Sequence, residues 1–210
     1  MRVLELFSGT HSVGKVCKDL GYEVVSLDLT NADINIDILK WDYKTAFKPG
    51  DFDIIWASPP CHTFSHCRRC WIGRKLKCFG DVIVTAKILD DDMEARGLPI
   101  VRRTEEIINY FKPPLWFIEN PATGKMKDYL THLPHYDVDY CMYSDWGYKK
   151  KTRFWTNKEG FDAKLCNKQC GNMVGTQHKN KVGRGKESLA NVTLKDRYRV
   201  PPKLIKELII

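Results

Sequence analysis

A chain of 210 residues, 43% of them hydrophobic, is long enough for one domain with a full core and too short for two. No apolar run approaches the roughly 18 residues of a membrane-spanning helix, and Met1-Arg2-Val3-Leu4 opens into a strand rather than a signal peptide, so a cytoplasmic or nuclear protein is expected, neither secreted nor membrane-bound. Eight cysteines without repeating spacing, in a chain that can build its own core, are expected to be reduced thiols. The net charge of +8 is local: residues 145–186 carry nine lysines and two arginines against Asp145, Glu159 and Asp162, which equals the whole excess. Interleaved with Trp146, Tyr148, Phe154, Trp155 and Phe161, these cations suit a polyanion with stackable bases; a solvated basic surface is the plainer alternative.

In chain order, residues 2–7 predict a strand, Ser8-Gly9-Thr10-His11-Ser12 a turn, and residues 13–20 a helix that Gly21 closes. Residues 23–28 predict a second strand ending on Asp28, roughly 20 residues past the glycine turn, the spacing at which a carboxylate reaches a ribose hydroxyl of a nucleotide-like cofactor. A short third strand over 34–38 offers Asp37 to solvent or to an adenine. Together these make one mononucleotide-binding half. The turn has Gly9 and Gly14 without the full G-x-G-x-x-G, and a lone glycine turn is also ordinary punctuation.

Residues 52–56 predict a buried strand, followed by Ala57-Ser58-Pro59-Pro60-Cys61-His62-Thr63-Phe64-Ser65. Cys61 therefore falls just past a strand's carboxyl end, where open α/β sheets keep their chemistry, in a turn that two prolines stiffen. From there to Cys78 the chain is irregular and polar, with Arg68, Arg69, Arg74, Lys75 and Lys77, a basic loop of the sort that closes over a substrate. Helices are predicted over 81–89 and 100–111, the second stopped by Pro113-Pro114, and then a buried strand over 115–118 runs into Glu119-Asn120-Pro121. A carboxylate ending an apolar strand is costly unless it serves a site or caps the next helix, and its place on the same sheet edge as Cys61 favours the site. A short helix over 125–130, a strand over 136–143, a strand over 153–156 pairing back, and a C-terminal helix from Pro202 complete the chain.

Phe7-Ser8-Gly9, Pro59-Pro60-Cys61 with Phe64-Ser65, Glu119-Asn120 and the region of Arg153 follow one another as in the DNA (cytosine-5) methyltransferases, and nearly the whole chain resembles a compact, phage- or virus-like member of that family with a very short target-recognition region. The resemblance implies an α/β, Rossmann-like fold dependent on S-adenosylmethionine, with a mostly parallel seven-stranded sheet and an antiparallel edge strand. It implies double-stranded DNA as partner and a flipped cytosine methylated at carbon 5 through a covalent cysteine adduct. By the same resemblance Cys61 is the nucleophile, Glu119 donates a proton to ring nitrogen 3, and Arg153 orients the cytosine carbonyl. Phe7, Ser8, Gly9, Thr10, Asp28, Asp37, Ile38, Ser58 and Pro59 line the cofactor, and Ser65, Arg68, Arg69, Lys149, Lys150 and Lys151 face nucleic acid. Two departures stand out: Lys149-Lys150-Lys151-Thr152-Arg153 replaces a Gln-x-Arg-x-Arg pattern, and His11 replaces a usual glycine.

The expected organisation is a catalytic domain over 1–156, a short basic recognition insert over 157–196, and a helix over 197–210 that completes the catalytic domain. Cys166, Cys170 and His178 supply three zinc ligands, with Cys141 or a second histidine as fourth, and zinc would staple a segment too small to hold a core; ordinary thiols are the alternative. Cys67 and Cys70 with His62 and His66 form a rival cluster in the loop after Cys61. Three other functions stay open: a catalytically weak nucleic-acid-binding relative, an amino-group methyltransferase, for which Cys61 stands where that class has an aromatic residue, and an RNA cytosine methyltransferase. So small a recognition segment implies a short target read by a monomer, or an accessory partner.

Overall fold

The structure is a computed structural model and describes residues 1–180 and 193–210. Its elements in order are β1 (Arg2–Leu6), α1 (Ser12–Asp19), β2 (Glu23–Asp28), β3 (Ile34–Asn35), α2 (Tyr43–Ala46), β4 (Ile54–Ala57), α3 (Ala86–Asp92), α4 (Leu98–Phe111), β5 (Leu115–Pro121), β6 (His135–Asp139), β7 (Lys151–Thr156), β8 (Met173–Val174), β9 (Gln177–His178), α5 (Leu194–Tyr198) and α6 (Pro202–Ile209). Seven strands form one sheet in the order β3-β2-β1-β4-β5-β7-β6, and β8 and β9 form a separate hairpin. Strands β3, β2, β1, β4 and β5 pair in parallel; β7 runs antiparallel to both β5 and β6. The expected α/β class and mostly parallel sheet are thus present, with the reversed strand one place in from the edge.

Period-two alternation splits the core between the two faces of the sheet. Leu4, Leu6, Ile55, Ala57, Ile118 and Trp155 face one side, where Ile107, Ile108 and Phe111 of α4 and Tyr43 of α2 cover them. Val3, Ile54, Trp56, Phe117 and Phe154 face the other, against Val13 and Val16 of α1 and Leu204, Ile205 and Leu208 of α6. Near-continuous apolar runs in β1 and β4 follow from coverage on both faces.

Several boundaries move. The third strand pairs only over Ile34–Asn35, so Asp37 lies beyond it. The strand expected through 143 stops at Asp139, where the chain turns into a 3₁₀ segment, Tyr140–Met142. The helix expected over 81–89 begins at Ala86, with the Thr85 hydroxyl accepting from Ile88 N–H, and continues through a π-helical turn, Met93–Gly97, into α4. Of the expected insert, residues 181–192 lie outside the described residues. No helix among the described residues is long and apolar enough to cross a membrane.

Candidate active site

Because five strands run in parallel, the segments after β1, β2, β4 and β5 all emerge on one edge of the sheet. Antiparallel β7 enters at that edge, since Pro121 of β5 faces Thr152 and Asp139 of β6 faces Lys151. The order reverses between β1 and β4, each of which leads to neighbours on opposite sides. That reversal opens the crevice in which such sheets bind ligands.

The turn after β1 forms one wall of the crevice. Phe7, Gly9 and His11 adopt left-handed φ of 61°, 45° and 54°. Ser8 N–H donates to Leu27 O (3.2 Å), His11 N–H to Ser8 O (2.6 Å), and the Thr10 and Ser12 hydroxyls share a hydrogen bond at 2.6 Å. His11, a side chain in the left-handed region, is held by Nε2 at 2.6 Å from Asn31 O and by Nδ1 at 3.9 Å from Glu5. Asp28, expected to reach a ribose hydroxyl, accepts from Gly9 N–H (2.8 Å) on one oxygen and from Leu29 N–H (2.6 Å) on the other, so it also braces the turn. Asp37 accepts from Leu39 N–H (3.0 Å), and Ile38 is buried in the core. Across the crevice, Ser58 N–H donates to Leu6 O (3.2 Å), tying the Pro-Pro-Cys turn to β1, and Pro59 O accepts from Asn120 Nδ2 (2.8 Å). The residues present fit an adenosyl ligand in one respect the protein does not use itself: Ser8 Oγ and Asn120 Oδ1 are buried without a hydrogen-bond partner among the described residues.

Cys61 is half-buried at the carboxyl edge. Burial pushes its thiol up, the Glu119 carboxylate adds to that, and the Lys150 ammonium works against it. Desolvation outweighs the pull of the ammonium. Glu119 is buried, with its Oε1 accepting from the Tyr140 hydroxyl (3.2 Å) and lying 3.6 Å from Lys150 Nζ. Lys150 sits 4.8 Å from the Tyr140 ring centroid and donates to Arg197 O (3.0 Å). Burial and the Glu119 charge push the Tyr140 phenol well up, so it remains a donor. The edge therefore assembles a thiol, a carboxylate, a phenol and an ammonium.

Arg153 is not among them. Glu119 pairs with Phe154 and Asn120 with Arg153, so strand alternation puts Arg153 on the face opposite Glu119 and puts Lys150, Thr152 and Phe154 on the same face. Arg153 is instead clamped to Asp137 on β6 by bonds of 2.6 and 3.1 Å. The cation beside the carboxylate is Lys150, which the sequence assigned to nucleic acid. Nothing in a run of three lysines singles it out; the pairing of Glu119 with Phe154 does.

The loop after Cys61 is also corrected. Arg68 points inward: its guanidinium bonds Asp92 and Thr63 O and lies against the rings of Trp71 and Phe79, leaving it buried rather than facing phosphate. Ser65 caps the 3₁₀ segment His66–Trp71, its hydroxyl accepting from Cys67 N–H (3.3 Å), while Arg69 is exposed. Lys149 and Lys151 reach outward past Asp139 (3.1 Å) and Asp137 (3.5 Å) and remain about two-fifths exposed at 42% and 41%. Sequence reasoning did not single out Glu5 or Tyr140. Away from this edge, Cys141, Cys166, Cys170 and His178 place one donor atom each within 4.8 Å of the others, whereas Cys67 and Cys70 are exposed and gather no such group among the described residues.

The chain is 47% identical over 218 residues to a protein of Frog virus 3 (isolate Goorha) named "Probable DNA (cytosine-5)-methyltransferase", across 100% of this chain and 99% of that one. Among solved structures, the Entamoeba histolytica methyltransferase EhMeth aligns with a TM-score of 0.44 and 11% identity over 79% of this chain and 55% of its own. The S. pombe Dnmt2 methyltransferase aligns at 0.42 and 14% over 76% and 51%, so the chain spans about half the length of these solved proteins. No family model matches the chain. Identity of 47% carried over the whole of both sequences shows that the chain belongs to the DNA (cytosine-5)-methyltransferase family.

Proposed function

We propose that this protein transfers a methyl group from S-adenosylmethionine to carbon 5 of a flipped cytosine in double-stranded DNA, through a covalent adduct on Cys61. The observation that carries the reading is the meeting of Cys61, Glu119 and Lys150 at one sheet edge, next to the crevice between β1 and β4. S-adenosylmethionine, held by the turns around Ser8, Asp28 and Ser58, supplies the electrophilic methyl. The structural zinc expected at Cys166, Cys170 and His178 takes no part in the transfer.

Carbon 5 of cytosine is a weak nucleophile until a group adds at carbon 6. Cys61 supplies that group as thiolate, its proton leaving to solvent, and the ring electrons move to nitrogen 3, where Glu119 delivers a proton. Carbon 5 then takes the methyl, releasing S-adenosylhomocysteine, and loses its hydrogen as a proton to solvent; the carbon–sulfur bond breaks to return the thiolate, and the proton on nitrogen 3 returns to Glu119. The electrostatics suit this order. The Lys150 ammonium favours the thiolate and a charged Glu119 opposes it, so the thiolate is favoured most while Glu119 still carries the proton it delivers to nitrogen 3. Tyr140 holds one Glu119 oxygen, leaving the other for the base. The target atoms are inaccessible inside a duplex, so the base must leave the stack, at a cost of a few kcal/mol.

The test is transfer of labelled methyl to duplex DNA by the unmutated chain beside Cys61→Ser. Transfer by the first and none by the second supports the proposal. DNA binding without transfer by the unmutated chain overturns it in favour of a non-catalytic nucleic-acid-binding relative, and preference for single-stranded RNA overturns the choice of substrate.

A further inference from the structure

We propose that Cys141, Cys166, Cys170 and His178 bind one zinc ion in a closed structural site that fastens the short segment after β7 to the catalytic sheet. The four come from separate places: Cys141 from the 3₁₀ segment after β6, Cys166 and Cys170 from the strand-poor stretch beyond β7, and His178 from β9. Their donors nevertheless converge. Cys166 Sγ lies 3.5 Å from Cys170 Sγ and 3.5 Å from His178 Nε2, and Cys170 Sγ lies 3.4 Å from the same nitrogen.

These separations can be compared with the metal's own geometry. Tetrahedral zinc with bonds of about 2.3 Å to sulfur and 2.0–2.1 Å to nitrogen sets ligands about 3.8 Å apart for two sulfurs and about 3.6 Å for sulfur and nitrogen. The observed spacings fall within a few tenths of an ångström of those values, and a sulfur pair at 3.5 Å is far beyond the roughly 2.05 Å of a disulfide. Three thiolates and an imidazole leave no open position, which is the donor set of a structural site.

The surroundings hold the ligands in place. Lys168, at a left-handed φ of 70°, turns its N–H onto Cys166 Sγ at 3.3 Å. Asp139 accepts from Cys166 N–H at 2.8 Å. Asn172 donates to Cys141 O (2.9 Å) and Ser144 O (2.7 Å) and accepts from Gly147 N–H (3.0 Å). Asn172 is also the only buried residue in the stretch 157–180; Phe161 and Ala163 dock its start on the sheet core, but from residue 164 to 180 no apolar core holds the chain together. A chain segment in that condition needs a staple, and metal binding supplies it. The attachment matters for the active site because Cys141 directly follows Tyr140, the donor to Glu119. Zinc would therefore fix both the basic segment and one neighbour of the carboxylate, without touching the reacting atoms.

The test is the metal content of the full chain, purified without chelator, by elemental mass spectrometry. About one zinc per chain is expected, and cobalt in its place should show the absorption of a tetrahedral site with three thiolates. Cys166→Ser and His178→Ala should each weaken zinc retention against a competing chelator by more than about tenfold. Replacing Cys67 and Cys70 together, exposed thiols of the other cluster, should leave it unchanged. A folded, unmutated chain, checked by circular dichroism, that holds no zinc and takes up none would overturn the proposal whatever the variants do. So would loss of zinc on replacing Cys67 and Cys70 with retention in Cys166→Ser, or a native Cys166–Cys170 disulfide.

Discussion

Two glutamates are buried on the same face of the sheet, Glu5 on β1 and Glu119 on β5, and their partners differ in kind. Glu5 is closed in by backbone: Val13 N–H at the start of α1 donates to it at 3.2 Å, and a Cβ placed on Gly14 would come within 2.6 Å of its other oxygen. Burial pushes its carboxyl up to about 7 from the usual 4.5. Glu119 is met by side chains instead, Tyr140 and Lys150, at the edge where Cys61 emerges. A buried carboxylate facing a helix end braces that helix; one facing a phenol and an ammonium beside a thiol can exchange a proton with a ligand.

The largest contrast between them should be catalytic. Glu119→Gln should lower turnover on the order of 10²- to 10⁴-fold, the usual contribution of a general acid, while Glu5→Gln should leave it within a few-fold; equal losses would dissolve the distinction. The cations give the next contrast. Lys150→Ala should lower turnover roughly 10- to 100-fold and move the acidic limb of its pH profile upward, because the one cation that favours the Cys61 thiolate is gone. Arg153→Ala should instead cost about 1–3 kcal/mol of stability, read from urea unfolding, with little change in turnover, because it removes both guanidinium bonds to Asp137 on the other face and leaves it only the half-exposed Lys151. A reversed pattern would return the catalytic role to Arg153.

Glu5 sets a pH dependence of stability. Its folded carboxyl titrates near 7, above the unfolded value, so the folded state holds the extra proton. The stabilising contribution is complete below about pH 4.5 and is lost as pH rises through 7, in total roughly 3 kcal/mol by linkage. Glu5→Gln should remove that slope, and unfolding free energies measured from pH 4 to 8 check it. A stability cost of the same order as at Arg153 is expected at Gly14→Ala, where the added methyl must push Glu5 aside at about 1–3 kcal/mol in the same measurement.

Much of this was legible in residue order. The apolar runs ending at Trp56 and Ile118 announced buried strands, and residues at or beyond the carboxyl ends of such strands emerge at one sheet edge, so Cys61 and Glu119 could be placed at that edge without coordinates. Cys166, Cys170 and His178 were visible as donors by residue type. What escaped depended on pairing between distant segments. Three consecutive lysines carry no alternation, so the choice of Lys150 required the register of β7 against β5. Arg68 looked like a phosphate contact because Asp92, 24 residues on, was not known to lie over it. Tyr140 read as one more strand residue until β6 ended at Asp139 and turned its hydroxyl towards Glu119.

The central claim, that Cys61 bonds to the cytosine being methylated, is tested most directly by trapping. With fluorine at carbon 5 of the target cytosine there is no proton to lose after methyl transfer, so the carbon–sulfur bond cannot break and the adduct persists. Incubated with such a duplex and S-adenosylmethionine, the chain should carry the methylated nucleotide on the peptide containing Cys61, and none should form without the methyl donor or in Cys61→Ser. A duplex methylated at ordinary cytosines by a chain that never forms this adduct, or forms it on another cysteine, would contradict the account.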